Sequence, residues 1–368
     1  MTSVQVHGRA ERLLAALEER GLDQMIVSDR SNIRWLSGFS GSAGVLVVSA
    51  RGHQLITDGR YTDQARNQLD SSGATDIEVV IARTTSDRNT AVTTLASGRL
   101  LGAEGLTMPH SEWAGLSAEA DLVAADGLLS QLRRRKDDAE IALIAAAAGI
   151  ASEALSEVTP MLVAGVTERD IRDELEYRMR KLGADGPSYE TIVASGPTHA
   201  ALPHARPTSR QFENGDTVVI DVGALVDGYH SDMTRTFTVG TCSDELQHWY
   251  ELVLEAQNAG LHAVAEGASV SDIDQACRSI FDDAGLADLF VHGTGHGVGL
   301  DIHEEPFLGA SGRSELVAGD VVTVEPGLYR VGTGGIRIED LVVVTSDGHR
   351  NLTTHPKDTP CPPSLQMT

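Results

Sequence analysis

The chain has only three cysteines in 368 residues: Cys242, Cys277 and Cys361. They are odd in number, far apart and without a CxxC pair, which argues against both a disulfide framework and a thiolate zinc site, and points to a reducing, cytoplasmic setting. Basic residues are scarce as well, 29 Lys plus Arg against 53 Asp plus Glu, for a formal net charge of −24. So acidic a chain repels phosphate backbones and anionic headgroups, so neither nucleic acid nor a membrane is expected as a partner. Most of these acids serve solubility and need no further chemistry. Long apolar runs are also missing. The N-terminus, MTSVQVHGRAERLLAALEERG, turns polar at once and lacks the apolar core of about 7–15 residues that marks a secretory signal. No stretch reaches the roughly 18 apolar residues of a membrane span.

The length exceeds what one hydrophobic core usually supports, so two domains are expected. Leu13, Leu14 and Leu17 predict a helix over 9–20, stopped by Gly21. Strand patterns follow at 24–28, 44–49, 53–57 and 77–82, which describes a mixed α/β domain over 1–130. A basic run, Arg133 to Lys136, then meets Asp137-Asp138-Ala139-Glu140. Residues 131–137 are expected to be a solvated linker. Asp137 and Asp138 favour a helix N-terminus, so 139–157 is expected as a long helix opening a second domain over 138–360.

That second half repeats itself. GVTERDI from Gly165 and GASVSDI from Gly267 share a glycine, a Ser/Thr two residues on and an Asp-Ile pair. Each reads as a helix start, with Thr167 or Ser269 as N-cap and Asp170 or Asp272 closing a capping box. About fifty residues after each comes a strand, GDTVVID or GDVVTVE, with Asp221 and Glu325 at matching positions. Two such units suggest a duplicated α/β domain whose halves bring these acids together.

Each acid leads into a hairpin. Asp227-Gly228 is a strong two-residue turn signal, and a loop there makes Asp221 and Asp232 diagonal neighbours on one face of the ribbon. A glycine-rich turn at 332–335 separates Glu325 from Glu339 by an even spacing, consistent with one face. A carboxylate in a Val/Ile strand is costly unless paired or metal-bound. Arg235 or Arg337 could pair with one of the four acids; four together on duplicated ribbons call for more positive charge.

HGTGHGVGLDIHEE, residues 292–305, adds three histidines among four glycines. It is not a dinucleotide loop, since the third glycine of GxGxxG would fall at Val298. It is not an HExxH zinc site either, since His303-Glu304 is followed by Glu305-Pro306-Phe307. What remains is a close-approach loop whose imidazoles could join the carboxylates. Hard carboxylates with one nitrogen ligand suit Mn, Co, Fe or Zn, and such a set can hold two ions about 3.5–4 Å apart. A further histidine, His204, lies in ALPHARP, between Pro203 and Pro207.

Taken together, IDVGALVDGYHSDMTRTF, HGTGHGVGLDIHEEP, VVTVEPGLY and GGIRIEDLV resemble, in order, the ligand segments of the pita-bread metallopeptidases, a family that includes methionine aminopeptidase, aminopeptidase P and prolidase. NIRWLSGFSGSAGVLVVS and TDGRYTDQA are similar to the creatinase-type N-terminal domain. With ALPHARP, that domain points to the proline-directed branch. The resemblance implies an α/β (α+β) protein, with a creatinase/prolidase-like N-terminal domain followed by a duplicated pita-bread catalytic domain. It implies that Asp221, Asp232, His296, Glu325 and Glu339 bind two divalent ions per subunit (Mn, Co, Zn or Fe, with Mn favoured). Asp232 and Glu339 would be shared between the ions. It further implies that His204, His292 and His303 surround the substrate and that Arg337 supports a bridging carboxylate.

On this basis Glu325 is the expected proton carrier, His303 helps to stabilise the oxyanion, and His292 and His204 position a proline-containing peptide. A homodimer is implied as well. The expected activity is removal of the N-terminal residue from Xaa-Pro peptides. The alternatives are a dipeptidase confined to Xaa-Pro and, more remotely, a non-catalytic pita-bread binding module. Family dipeptidases often carry an arginine shortly after the position of His303, and Phe307 stands in that neighbourhood here, which favours longer peptides unless Arg206 or Arg313 substitutes.

Overall fold

The computed structural model describes residues 4–96, 100–241 and 243–359, so Cys242 and Cys361 lie outside the described residues. The chain divides into two compact units, Met1–Arg133 and Arg134–Thr368.

The first unit builds helices α1 (Arg9–Glu18), α2 (Arg30–Ser37), α3 (Thr62–Ser72), α4 (Thr85–Ala96), α5 (His110–Ser117) and α6 (Leu128–Arg134) around one sheet. Its strands are β1 (Gln24–Val27), β2 (Gly44–Ser49), β3 (Gly52–Thr57), β4 (Ile77–Ile81), β5 (Leu101–Ala103) and β6 (Leu122–Ala124), in the order β4-β3-β2-β1-β5-β6. The sheet is antiparallel across β1–β2 and β2–β3 and parallel elsewhere. Leu13 and Leu17 are buried, as the helical spacing requires.

The basic run is not a solvated linker. Residues 131–134 continue α6, and Arg133, Arg134 and Lys136 are all buried. Within the first unit Arg133 donates to Asn32 Oδ1 at 2.8 Å. Within the second, Arg134 pairs with Asp320 and Lys136 with Glu304, each at 2.6 Å. Buried cations require such partners, and here the partners lie too far along the chain for sequence spacing to reveal them.

The second unit opens with α7 (Asp138–Val158), capped by a full Asp137–Glu140 capping box. Contrary to the expectation from sequence, Asp138–Met161 is long and apolar enough to span a membrane by length and composition. Its Leu143, Ile144, Ala147, Ala151 and Leu155 are buried within the unit, which accounts for the composition as that of a core helix. Next come α8 (Glu168–Lys181), β7 (Gly186–Pro187), β8 (Ile192–Ser195), the short α9 (Gly196–His199), β9 (Thr217–Asp221), β10 (Ala224–Val226), β11 (Tyr229–His230) and β12 (Thr234–Thr238). The other half holds α10 (Asp244–Ala263), α11 (Val270–Asp283), β13 (Gly295–Gly297), β14 (Glu304–Leu308), β15 (Val321–Val324), β16 (Gly327–Arg330), β17 (Gly334–Arg337), β18 (Asp340–Thr345) and β19 (Gly348–Asn351).

The repeat is visible in this order. Each half sets a sheet, β12-β9-β8 or β14-β13-β15-β18-β19, beside a hairpin, β10–β11 or β16–β17. Isolated bridges Thr167↔Gln211 and Ser269↔Glu315 occur at corresponding places. The two helix starts differ. Thr167 and Asp170 form the expected capping box, whereas Ser269 makes no capping hydrogen bond and its Oγ lies 2.8 Å from Ser271 Oγ instead. A neighbouring hydroxyl has taken the role that the helix amide was expected to fill. Cys277 is buried on α11 and is a packing residue: a Cβ on Gly260 would come within 2.6 Å of its Sγ.

Candidate active site

The four acids are delivered by strand ends. In the first half, Asp227 (φ 46°) and Gly228 (φ 74°) form the two-residue turn, pairing Val226 with Tyr229. The same register carries back to Asp221↔Thr234 in β9–β12. Asp221 and Asp232 thereby converge closely enough for the Tyr189 hydroxyl to contact an oxygen of each. In the second half β16 pairs with β17 through Gly327↔Arg337 and Arg330↔Gly334, which sets Glu325 opposite Glu339. The turn is Val331–Thr333, shorter than expected, because Gly334 and Gly335 already belong to β17. Gly335 is needed there for close approach, since a Cβ would sit 1.8 Å from Ala200 O.

His296 enters from β13, where its N–H donates to Thr323 Oγ1 at 3.0 Å. Its Nδ1 lies 3.1 Å from Gly297 O, and a carbonyl can only accept, so Nδ1 holds the proton and Nε2 presents a lone pair. That Nε2 faces Glu325 Oε1 at 3.4 Å and Asp232 Oδ2 at 3.5 Å. Two donors each about 2.1 Å from a shared ion lie roughly 3–3.4 Å apart, so the spacing suits a cation between them. Asp232, His296 and Glu339 each offer a ligand atom within 4.8 Å of the others.

The electrostatics point the same way. Asp232 and Glu339 are buried, and desolvation together with repulsion from the neighbouring carboxylates pushes both well above the ordinary carboxylate range. Burial also raises Glu325. Burial lowers His296, keeping it neutral as a ligand must be. Glu339 Oε2 accepts from Thr234 Oγ1 at 2.7 Å, while Glu339 Oε1 is buried without a hydrogen-bond partner among the described residues. A buried carboxylate oxygen left unpaired in a nest of acids is what a divalent ion would satisfy.

Arg337 organises the surroundings. Its Nη2 donates to Asp221 Oδ2 at 2.7 Å, its Nε to Thr234 Oγ1 at 2.9 Å, and its Nη1 to Pro203 O and Tyr329 Oη, each at 2.9 Å. Its direct carboxylate partner is Asp221, and Thr234 Oγ1, which accepts from it, donates in turn to Glu339. His292 Nε2 lies 3.0 Å from Tyr329 Oη and its Nδ1 2.8 Å from Gly293 O. With both nitrogens occupied, His292 offers its ring rather than a free donor. His303 is exposed, with its ring centroid 4.3 Å from that of His296, and His204 is exposed on its loop.

All nine expected site residues line one cleft of about 510 Å³. Its other walls include Ile192, Pro203, Ile302, Phe307 and Leu308. Sequence reasoning missed Tyr189, Thr234 and Tyr329. Thr234 was within reach, because strand alternation puts it on the same face as Asp232.

Comparison with known proteins agrees with this geometry. Residues 142–346 match the model of metallopeptidase family M24, and residues 9–135 that of the Creatinase/Prolidase N-terminal domain. The chain is 33% identical to a Xaa-Pro dipeptidase of Pyrococcus furiosus over 94% of this chain and 97% of that one. Among solved structures it is similar to a Xaa-Pro dipeptidase from Bacillus anthracis, with a TM-score of 0.92 and 37% identity, covering 97% of this chain and all (100%) of the other. It is likewise similar to an X-Pro aminopeptidase from Thermotoga maritima, with a TM-score of 0.86 and 34% identity, covering 96% and 99%.

Proposed function

Since the chain belongs to metallopeptidase family M24, with a Creatinase/Prolidase N-terminal domain ahead of the catalytic region, we propose that it is a Xaa-Pro dipeptidase using two divalent ions. The observation that carries this reading is the convergence of Asp221, Asp232, His296, Glu325 and Glu339 in one cleft with apolar walls. The names of its relatives in Pyrococcus furiosus and Bacillus anthracis support dipeptides over the longer peptides that Phe307 favoured in the sequence.

Those five residues would hold the ions, which supply Lewis acidity to the peptide carbonyl and lower the pKa of water. Glu325, at the end of β15 with Oε1 held by Thr323 Oγ1 at 3.1 Å, takes the proton of the attacking water and passes it to the leaving nitrogen. His303 reaches over the cleft to donate to the developing oxyanion. A proline nitrogen in a peptide bond has no N–H, so the site needs a ring pocket rather than an acceptor. The ring of His292, packed edge-on to Phe290 at 5.0 Å between centroids, forms part of that wall.

The second reading, release of the N-terminal residue from longer peptides, is favoured by Phe307, which is 51% exposed at the cleft, and by the engagement of Arg206 with Glu190 at 3.0 Å. Hydrolysis of Xaa-Pro and Xaa-Pro-Yaa by the same metal-loaded protein decides between them. Dipeptidase action predicts turnover of the first and at most about a hundredth of that kcat/KM on the second, a gap of about 2.7 kcal/mol. Comparable rates on the longer peptide would replace this reading with the second. We further propose manganese as the working ion, checked by elemental analysis of the native protein, and a homodimer, checked by light scattering.

A further inference from the structure

One buried carboxylate has no part in the chemistry above. Glu168, the first residue of α8, has no exposed surface. Its Oε1 accepts from the N–H and the Oγ of Ser195, at 2.9 and 2.7 Å. Its Oε2 accepts from the N–H and the Oγ1 of Thr208, also at 2.9 and 2.7 Å. His199 Nδ1 lies 3.1 and 3.0 Å from the two oxygens. Burial pushes the Glu168 carboxyl up, but the Ser195 and Thr208 hydrogen bonds outweigh it and hold the group below the ordinary carboxylate value.

Ser195 and Thr208 are the two ends of the segment that carries Pro203 and His204 into the cleft. Between them the chain has only the four-residue α9 as regular structure. Pro203 also accepts from Arg337, the residue that holds Asp221. We propose that Glu168 is a positioning residue for substrate binding: one carboxylate draws both ends of the 195–208 segment together and so aims His204 at the cleft. The second half does the equivalent for its own histidine. There the buried Asp274 of α11 accepts from Thr294 Oγ1 at 2.8 Å and pairs at 2.6 Å with Arg278, whose Nη2 donates to His292 O at 2.6 Å.

The kinetic part of this inference rests on the Xaa-Pro reading; the structural part does not. Both are tested on full-length, metal-loaded protein as wild type, Glu168→Gln and Thr208→Val, by hydrogen-exchange mass spectrometry and by kcat and KM on a Xaa-Pro dipeptide. Glu168→Gln keeps the shape but turns an NH2 toward donors. Its amides within 197–207 should exchange about tenfold faster while those of β9 are unchanged, because the opening is local. KM should rise about tenfold with kcat within about threefold, the size of losing a hydrogen bond to a charged group. Adding His204→Ala to Glu168→Gln should raise KM by less than about twofold more, since both changes act through one contact.

Unchanged exchange in 197–207, a lowered melting temperature with unaltered KM, or full additivity with His204→Ala overturns the proposal. If Glu168→Gln does not fold, Thr208→Val carries the same test with an expected two- to threefold effect, about half a hydrogen bond's worth, and no change there overturns it. If wild type cleaves no Xaa-Pro peptide, the functional reading fails, while the exchange measurement still decides the clamp.

Discussion

Glu339 concentrates the chemistry of the site in one side chain. One oxygen is satisfied by Thr234, and the other is buried with nothing to accept from among the described residues. Glu339→Gln either keeps its oxygen on Thr234 and turns an NH2 toward the cation position, or turns a neutral amide oxygen there and gives up its acceptor for Thr234. Bound metal should fall below two ions per chain and kcat by at least about a hundredfold, the range typical when a group acting in the transition state is removed. Elemental analysis and turnover of the variant check this together. The carboxyls also predict a proton balance. In the metal-free protein Asp232, Glu325 and Glu339 have raised pKa values because of burial and mutual repulsion, so they keep protons at higher pH than free carboxyls do. A cation must displace those protons, so affinity should rise with pH, and binding should release protons wherever the carboxyls still hold them. Calorimetry in buffers of different ionisation enthalpy measures the release; a heat independent of buffer would contradict it. At this scale the acids were legible because a charge in a Val/Ile strand demands an explanation. Tyr189 was not, because its partners Asp221 and Asp232 lie more than thirty residues away, and Tyr329 was not, because its bond to His292 joins segments 37 residues apart.

At the scale of elements, the two helix starts make a controlled pair. Thr167 Oγ1 accepts from the Asp170 N–H and Asp170 returns the bond to Thr167, whereas Ser269 caps nothing. Thr167→Ala should cost about 1 kcal/mol and Ser269→Ala a few tenths, compared by denaturant midpoint at unchanged slope. Equal losses would mean that the cap geometry does not set the stability of these helices. The sequences of the two starts look alike, and only the structure separates them, because whether a hydroxyl reaches the helix amide or a neighbouring hydroxyl depends on side-chain rotation. The hairpins were more legible. Asp227-Gly228 can take left-handed conformations cheaply, and once that two-residue turn sets the register, the facing of Asp221 and Asp232, like the even spacing from Glu325 to Glu339, follows from strand alternation. The second turn is shorter than the glycines suggested because Gly334 and Gly335 belong to β17, where Gly335 allows close approach to Ala200, and only Gly332 serves the turn.

For the whole molecule, the repeat in sequence told of a duplicated catalytic unit, and the structure carries that repeat in its sheets, hairpins and bridges. What could not be read was the fate of the basic run near residue 134. Its burial depends on Asp320 and Glu304, supplied by the far half of the catalytic unit. If the filled five-residue site carries the proposed activity, the direct measurement is a titration of metal-stripped full-length protein with Mn²⁺ while following hydrolysis of a Xaa-Pro dipeptide. Activity should be absent without metal and rise with bound ion to a plateau at about two per chain, with Glu325→Ala inactive throughout. Full activity in the stripped protein, wild-type turnover by metal-replete Glu325→Ala, or no Xaa-Pro cleavage at any occupancy would contradict it.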